Sequence, residues 1–264
     1  MSSSEVRVKN PHSILVALKQ RPKDVLEITY PKDRSEGVWK EIEALVERHK
    51  IRRSEGAGFG GVASQDSKRG RNPRGRDGRA ERPTGEPSGR ESGHGALLKP
   101  KPQASLEKLF SGIDQETRGL WLALDCLQDP QNLGAIFRAA AFFGIKGIVM
   151  TTERSAPMTG TVYDIACGGV EVVPFVQTIN LKQALDKAKE AGLWILGTSE
   201  HAKEPLSRIQ KDRPWLMVVG NEEKGIRRLT EEACDVMCTI PNAGTEVTSL
   251  NVSVATGILL SHLG

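Results

Sequence analysis

The sequence predicts an α/β protein whose main part is a mostly parallel sheet with helices on both faces. Two observations carry this prediction. Over residues 119–264, short apolar runs alternate with amphipathic helical patterns, which is typical of strand–helix–strand units. In the same region, three polar loops each follow an apolar run, as expected at the carboxyl ends of parallel strands. A smaller unit precedes this region.

Residues 1–53 predict a small α/β domain. The pattern indicates a helix that opens over residues 11–18, a strand at 25–30 and a helix with one apolar face at 36–49. At 264 residues the chain is long enough for this small domain and a larger one.

Residues 54–96 form a polar tract rich in arginine and glycine, in which no core is expected. Its apolar content is too small to offset the cost of ordering the backbone, about 1–2 kcal/mol per residue. Two interpretations stay open: a sequence-tolerant grip on RNA phosphates by residues 68–90, or a solvated linker. The apolar pair Leu97 and Leu98 then begins a connector over residues 97–118.

The main region, residues 119–264, predicts one domain of alternating strands and helices. Strands are expected at residues 121–127, 147–151, 170–176, 193–197, 215–220 and 236–240. Helices are expected at residues 132–143, 181–191 and 227–233, and from Asn251 to the end of the chain. Ligands of such sheets bind beyond the carboxyl ends of the strands, so the loops there are the candidate site.

Composition limits the class of protein. The chain has 264 residues, 38% of them hydrophobic, a net charge of +4 and a pI near 8.9, which permits a polyanionic partner without requiring one. Its four cysteines lack C-x-x-C spacing, so no metal site is predicted and reduced thiols are expected. Without a membrane-length apolar run or the apolar region of a signal peptide, the sequence predicts a cytoplasmic protein.

Three stretches after predicted strands carry the candidate residues. The first is residues 129–138 (DPQNLGAIFR), the second is residues 220–225 (GNEEKG), and the third is Ser249-Leu250-Asn251 before the last helix. The second stretch lacks the Lys and Ser or Thr of a P-loop and does not have dinucleotide-loop spacing. Taken singly, each stretch is also compatible with an ordinary helix cap or connection.

Together, these stretches resemble the three ordered motifs of the SpoU family of RNA ribose 2'-O-methyltransferases, in the knotted SPOUT superfamily. The resemblance covers residues 121–264 and implies a C-terminal trefoil knot. It also implies S-adenosylmethionine as the cofactor, held mainly by backbone groups at Gly220, Ile240 and Leu250. The catalytic residues that it implies are Asn132, Arg138, Glu222, Ser249 and Asn251.

Arg138 has a chemistry that restricts its role. A guanidinium is effectively never deprotonated in proteins, so we do not expect a simple general base. Its fork of donors suits a phosphate or a developing alkoxide better. By itself, such an arginine would be interpreted as half of a surface ion pair. Glu222 is expected to orient the first motif or Asn251 through a charge-assisted hydrogen bond.

The sequence departs from the family pattern in the cofactor loop. Asn242 stands where Met commonly follows Ile-Pro, and the loop over residues 244–249 is one residue longer than usual. The resemblance further implies a homodimer with the site at the subunit interface. Val252, Ala255 and Thr256 offer small apolar faces for that packing.

The pattern of residues 1–53 also resembles the L30e-like substrate-recognition domain of the ribosomal-RNA branch, with an unrelated appendage as the alternative. A basic C-terminal extension, as in transfer-RNA members, is absent before Gly264, which favours ribosomal RNA. The expected function is S-adenosylmethionine-dependent 2'-O-methylation of a guanosine ribose in large-subunit ribosomal RNA.

Two other functions stay open. One is 2'-O-methylation of a transfer-RNA ribose. The other is a non-catalytic RNA-binding protein on a degenerate methyltransferase fold, against which the retained Asn132, Arg138, Glu222 and Asn251 argue.

Overall fold

A computed structural model describes residues 5–31, 37–54, 93–114, 116–244, 246 and 249–264. Residues 68–90, for which contact with RNA and a solvated linker both stay open, lie outside these residues. So do residues 245, 247 and 248 of the loop expected to be one residue longer than usual.

The small lobe combines residues from both sides of the polar tract. Its elements are β1 (Val6–Val8), α1 (Pro11–Gln20), β2 (Val25–Thr29), α2 (Gly37–His49), β3 (Arg52–Ser54) and β4 (Gly95–Leu98). Its sheet has the order β1-β4-β2-β3, with β4 antiparallel to both neighbours.

The placement of β4 differs from the prediction. Leu97 and Leu98, expected in the connector, are strand residues here, and Leu98 is wholly buried opposite Val6 and Val25. Short strands such as β1, β3 and β4 carry too few residues to show a period, so the sequence did not reveal them.

The large lobe contains a parallel sheet, and the predicted mostly parallel α/β architecture is confirmed. Its elements are α3 (Leu106–Leu109), β5 (Gly119–Leu124), α4 (Pro130–Phe142), β6 (Ile148–Thr151), α5 (Gly160–Ala166), α6 (Gly169–Val172), β7 (Phe175–Thr178), α7 (Leu181–Glu190), β8 (Trp194–Thr198), β9 (Glu204–Pro205), β10 (Pro214–Val219), α8 (Arg228–Glu231), β11 (Val236–Thr239) and α9 (Val252–Leu263). Within the part of the chain that the structure describes, seven strands take the order β7-β6-β5-β10-β8-β11-β9, and every pair is parallel.

Both faces of this sheet are buried because successive strand residues point to opposite sides. In β5, Leu122 and Leu124 join one apolar core, and Trp121 and Ala123 join the other. Helices α4 and α9 lie on the first side and pack against each other, while α7 covers the second.

The predicted strand at residues 170–176 is wrong in its first half. Helix α6 occupies Gly169–Val172, and the strand β7 begins only at Phe175. The apolar run misled the prediction because a buried helical turn and a buried strand have the same composition. Helix α6 packs closely on α4: a Cβ on Gly169 would lie 2.5 Å from the Phe137 carbonyl oxygen.

The small lobe docks on α5 and α6 through buried polar contacts as well as apolar ones. Arg21 donates from Nε and Nη2 to the two oxygens of Glu171, at 2.6 and 2.8 Å. The backbone amide of Asn10 donates to Asp164 Oδ1 at 2.8 Å, and Ser13 Oγ donates to the Tyr163 carbonyl at 2.6 Å. The lobes therefore share one continuous core.

Helix α9 turns a different face to solvent than the sequence suggested. Val252 and Thr256, expected at a subunit contact, are buried in the chain's own core, and Thr256 Oγ1 donates to the Val252 carbonyl. Ala255 is half-buried. The exposed apolar side chains of α9 are Val254 and Ile258.

Candidate functional site

The site lies where β5 and β10 end. These parallel strands are in register, with Leu124 opposite Val219, so their carboxyl ends meet at one edge. The backbone amide of Asp125 continues the ladder by donating to the Val219 carbonyl at 2.9 Å. Gly220 and the loop after it therefore begin beside the segment that leads from β5 to α4.

Three predicted residues from three different motifs form one hydrogen-bonded network. Asn132, in the first turn of α4, donates from Nδ2 to Glu222 Oε1 at 3.1 Å. Its Oδ1 accepts from Asn251 Nδ2 at 3.0 Å. Asn132 is buried, so its amide has one fixed orientation between the two partners. The expected contact between Glu222 and the first motif is thus present, and Asn251 joins through Asn132.

Asn251 has a second role as the N-cap of α9. Its Oδ1 accepts from the Ser253 and Val254 amides at 2.9 and 3.3 Å, which satisfies donors that the helix itself leaves unpaired. Ser249, the other candidate cap, has no such bond to the helix within the described residues and lines the neighbouring pocket.

The loop over residues 220–225 closes on itself. Asn221 and Gly225 exchange backbone hydrogen bonds of 3.0 Å, and Asn221 Oδ1 accepts from the Glu223 and Lys224 amides. A Cβ on Gly220 would overlap the backbone of Gly225. The loop therefore needs glycine at position 220 for its own closure, apart from any ligand.

Asp125, Asn221 and Arg227 hold this loop, and the sequence did not single them out. Asp125 is wholly buried and accepts from the Arg227 amide and Nε, while Asn221 Nδ2 donates to the Cys126 carbonyl. An acid at the end of an apolar run was the available signal, but its partner lies 102 positions away.

Cys126, between the end of β5 and the start of α4, has an unusual backbone conformation. Its φ is 59°, a left-handed value that is uncommon for a residue other than glycine. Burial raises the pKa of the Cys126 thiol, and the neighbouring Asp125 carboxylate adds to the rise. A thiol of this kind stays protonated and is a poor nucleophile at neutral pH.

A pocket of about 640 Å³ opens beside the network and contains the three predicted cofactor positions, Gly220, Ile240 and Leu250. Its volume is in the range of small-molecule sites. The charged side chains of its lining are Glu200, Glu222, Glu223, Glu231 and Lys224. This excess of carboxylates favours a ligand that carries positive charge, such as a sulfonium with an ammonium group.

Asn242, where the sequence departs from the family pattern, also lines this pocket. Its side-chain oxygen accepts a hydrogen bond from the Gly244 amide, which forms a tight turn. The polar side chain thus shapes the loop at a position where a Met would supply only apolar surface.

Arg138 lies apart from the network. It is exposed on α4, six positions after Asn132, and no hydrogen bond or ion pair joins it to another described residue. It borders a shallow second cavity of about 330 Å³ with Ala135, Ala139, Phe142 and Ile165. Within one chain, the structure therefore brings together the other predicted catalytic positions but not Arg138.

The described residues contain no group of three or more His, Cys, Asp or Glu placed to hold a metal ion. They also contain no helix that is long and apolar enough to cross a membrane.

Fold and site define an α/β protein of the parallel type, with a small-molecule pocket and a polar network at the carboxyl edge of its sheet. The model of the SpoU rRNA Methylase family matches residues 119–261, more than half of the chain. The chain belongs to this family.

Individual relatives agree with this assignment. The chain is 42% identical over 164 residues to the 23S rRNA (guanosine-2'-O-)-methyltransferase RlmB of Nitrosomonas europaea, an overlap of 62% of each chain. It is 44% identical over 165 residues to the protein of the same name from Vibrio parahaemolyticus, covering 62% of this chain and 66% of that one. The chain thus matches less than two thirds of the length of these curated relatives.

Among solved structures, the SpoU methyltransferase AviRb from Streptomyces viridochromogenes in complex with the cofactor AdoMet superposes with a TM-score of 0.71 at 20% identity. The match covers 98% of this chain and 89% of that chain, so it includes the small lobe. At this identity the likeness concerns the fold.

Proposed function

We propose that this protein transfers a methyl group from S-adenosylmethionine to the 2'-hydroxyl of a guanosine ribose in large-subunit ribosomal RNA. The observation that carries the proposal is the Asn132–Glu222–Asn251 network beside the pocket that contains Gly220, Ile240 and Leu250. Family membership and relatives named for this reaction support it.

The pocket fits S-adenosylmethionine, which when bound supplies an electrophilic methyl group on a positively charged sulfur. Its volume suits the cofactor, and its carboxylates balance the positive charge. Backbone groups at Gly220, Ile240 and Leu250 would hold it, and the closed loop over residues 220–225 keeps that wall of the pocket rigid.

Positioning is the main task of the protein side chains, because methyl transfer needs only an aligned hydroxyl oxygen and a place for its proton. The two hydrogen bonds of the buried Asn132 amide fix its orientation and hold the Glu222 carboxylate beside it. Arg138, which stays cationic, would bind a phosphate or the developing alkoxide of the ribose. Ser249 at the pocket wall would contact the substrate.

The isolation of Arg138 supports a homodimer in which a partner completes the site. Helices α4 and α9 pack together and expose Phe142, Val254 and Ile258, which are 83%, 52% and 40% exposed. Burying such side chains is favourable, roughly 1.5–3 kcal/mol each when complete. A two-fold contact through this face would bury the side of α4 that carries Arg138.

Two structural features of the family are part of the proposal. One is a C-terminal trefoil knot, supported by the return of α9 to α4 after the chain has lined the pocket at Ile240 and Leu250. The other is that the small lobe is an L30e-like domain that takes part in substrate recognition. We also propose a cytoplasmic location for the protein.

The test is methylation of RNA fragments by the purified protein with labelled S-adenosylmethionine, followed by mapping of 2'-O-methyl positions. Transcripts of large-subunit ribosomal RNA and a pool of transfer RNAs are compared, with Asn132→Ala as the inactive control. Methylation of one guanosine in ribosomal RNA is expected. Methylation of transfer RNA alone would identify the alternative substrate, and RNA binding without methylation would identify the non-catalytic alternative.

A further inference from the structure

Asp125 is a wholly buried carboxylate that both site-forming strands help to place. It follows β5 directly, and its amide is bonded to Val219 at the end of β10. Its Oδ1 accepts from Arg227 Nε at 2.7 Å, and its Oδ2 accepts from the Arg227 amide at 3.1 Å. An apolar side chain in this place would avoid the cost of desolvating the charge, so stability alone does not explain the buried pair.

The pair is placed to hold the loop between β10 and Arg227. Arg227 comes two residues after the loop over residues 220–225, and its side chain is 48% exposed although its partner is buried. At the other end of the loop, Asn221 donates to the Cys126 carbonyl at 3.0 Å. The adjacent residues Asp125 and Cys126 therefore hold both ends of one loop.

Glu222 is the side chain that this arrangement presents. Its Oε2 accepts from Asn221 Nδ2 at 3.2 Å, and its Oε1 accepts from Asn132 at 3.1 Å. Glu222 is itself exposed at the pocket. Two side-chain hydrogen bonds rather than burial hold its carboxylate, so its direction depends on where the loop backbone lies.

We propose that Asp125 is a positioning residue: through Arg227 it fixes the loop over residues 220–225, so that Glu222 stays bonded to Asn132 and the pocket keeps its wall. As a statement about methylation, this inference rests on the proposed function. As a statement about the loop, it is independent of any ligand.

The neighbouring arginine provides a matched control. Arg228 pairs with Glu232 at 2.6 Å, and both side chains are exposed; among the described residues, no other side-chain hydrogen bond or ion pair joins either of them to another element. Arg227→Ala and Arg228→Ala thus remove the same side chain from adjacent positions. Only the first removes the side-chain bond to Asp125, and the bond from the backbone amide of residue 227 stays in both variants.

The experiment measures hydrogen exchange of the purified protein, peptide by peptide, together with the affinity for S-adenosylmethionine by calorimetry. In Arg227→Ala, amides of residues 220–227 are expected to exchange roughly tenfold faster, the equivalent of losing one charge-assisted bond. The cofactor affinity is expected to fall by a similar factor. Arg228→Ala should match the wild type in both measurements.

Three further variants separate positioning from general stability. Arg227→Lys keeps the charge and should recover part of the protection. Asp125→Asn keeps the size of the side chain, and combining it with Arg227→Ala should cost less than the sum of the two single changes, because both weaken the same pair.

Faster exchange throughout both lobes, rather than in the loop, would mean that the pair only stabilises the fold and would overturn the proposal. Equal loop exchange in Arg227→Ala and Arg228→Ala would overturn it as well. A wild-type protein that binds no S-adenosylmethionine would refute the proposed function, while the exchange data would still decide whether Asp125 holds the loop.

Discussion

Asn251 donates a hydrogen bond of 3.0 Å to Asn132 across 119 positions of sequence. The oxygen and the nitrogen of the Asn251 side-chain amide have separate roles. The oxygen caps α9, and the nitrogen joins the last motif to the first. These tasks can be separated by substitution.

Asn251→Ser is expected to preserve the fold and lose activity. Serine caps a helix about as well as asparagine, so the free energy of unfolding should change by less than about 0.5 kcal/mol. The donor to Asn132 is lost, and the methylation rate should fall about tenfold or more. Asn251→Ala removes the cap too and should cost about 1 kcal/mol of stability. Thermal unfolding and methylation assays of both variants check this, and an active Asn251→Ser protein would contradict it.

Arg138→Ala is expected to abolish methylation while folding and cofactor affinity stay near wild type. The side chain is exposed and has no partner among the described residues, so its removal costs the single chain no contact. Loss of a positively charged hydrogen-bond donor at the reacting oxygen should slow the reaction about 10²- to 10³-fold. Lys182→Ala, an exposed cation on α7, which covers the other face of the sheet, serves as the control. Activity within severalfold of wild type would remove the role.

Gly220→Val is expected to impair binding of S-adenosylmethionine. Its Cβ would overlap the backbone of Gly225, so the loop must open at the wall of the pocket that we propose holds the cofactor. We expect an affinity loss of about tenfold or more by calorimetry. Gly37→Ala is the control, since a Cβ at that glycine meets no atom of the described residues within 4 Å. Unchanged affinity in Gly220→Val would refute the expectation.

Ile258→Glu is expected to convert a dimer into monomers. The wild type should have twice the chain mass of 28.8 kDa in light scattering, and a carboxylate in an apolar contact is costly to desolvate. Ile179→Glu changes an even more exposed isoleucine away from α4 and α9 and should leave the mass unchanged. A monomeric wild type that is still active at the same concentration would exclude the dimer.

Deletion of residues 68–90 is expected to weaken RNA binding similarly for matched and unmatched RNAs. Phosphate contacts carry little sequence information, and each one lost should flatten the log–log salt dependence by roughly 0.7 to 0.9. A glycine–serine stretch of equal length in place of the tract controls for chain length. Equal slopes for all three proteins would identify a spacer.

The sequence by itself determined the parts of this protein that depend on local pattern. The alternation of apolar and amphipathic segments predicted the parallel sheet, because strand and helix periods are visible within one element. The polar loops after the predicted strands marked the carboxyl edge as the site, and the positions that the family resemblance implied, Gly220, Ile240 and Leu250, line one pocket there.

Tertiary structure decided everything that depends on which segments meet. The helical turn at Gly169–Val172, the face that α9 buries and the strand at Gly95–Leu98 are set by packing against elements distant in sequence. The same holds for the network, which joins Asn132 to Glu222 and Asn251 but leaves Arg138 outside. Asp125 illustrates the reason. The role of a single acid beside an apolar run cannot be inferred until folding has brought its partner, Arg227, into contact with it.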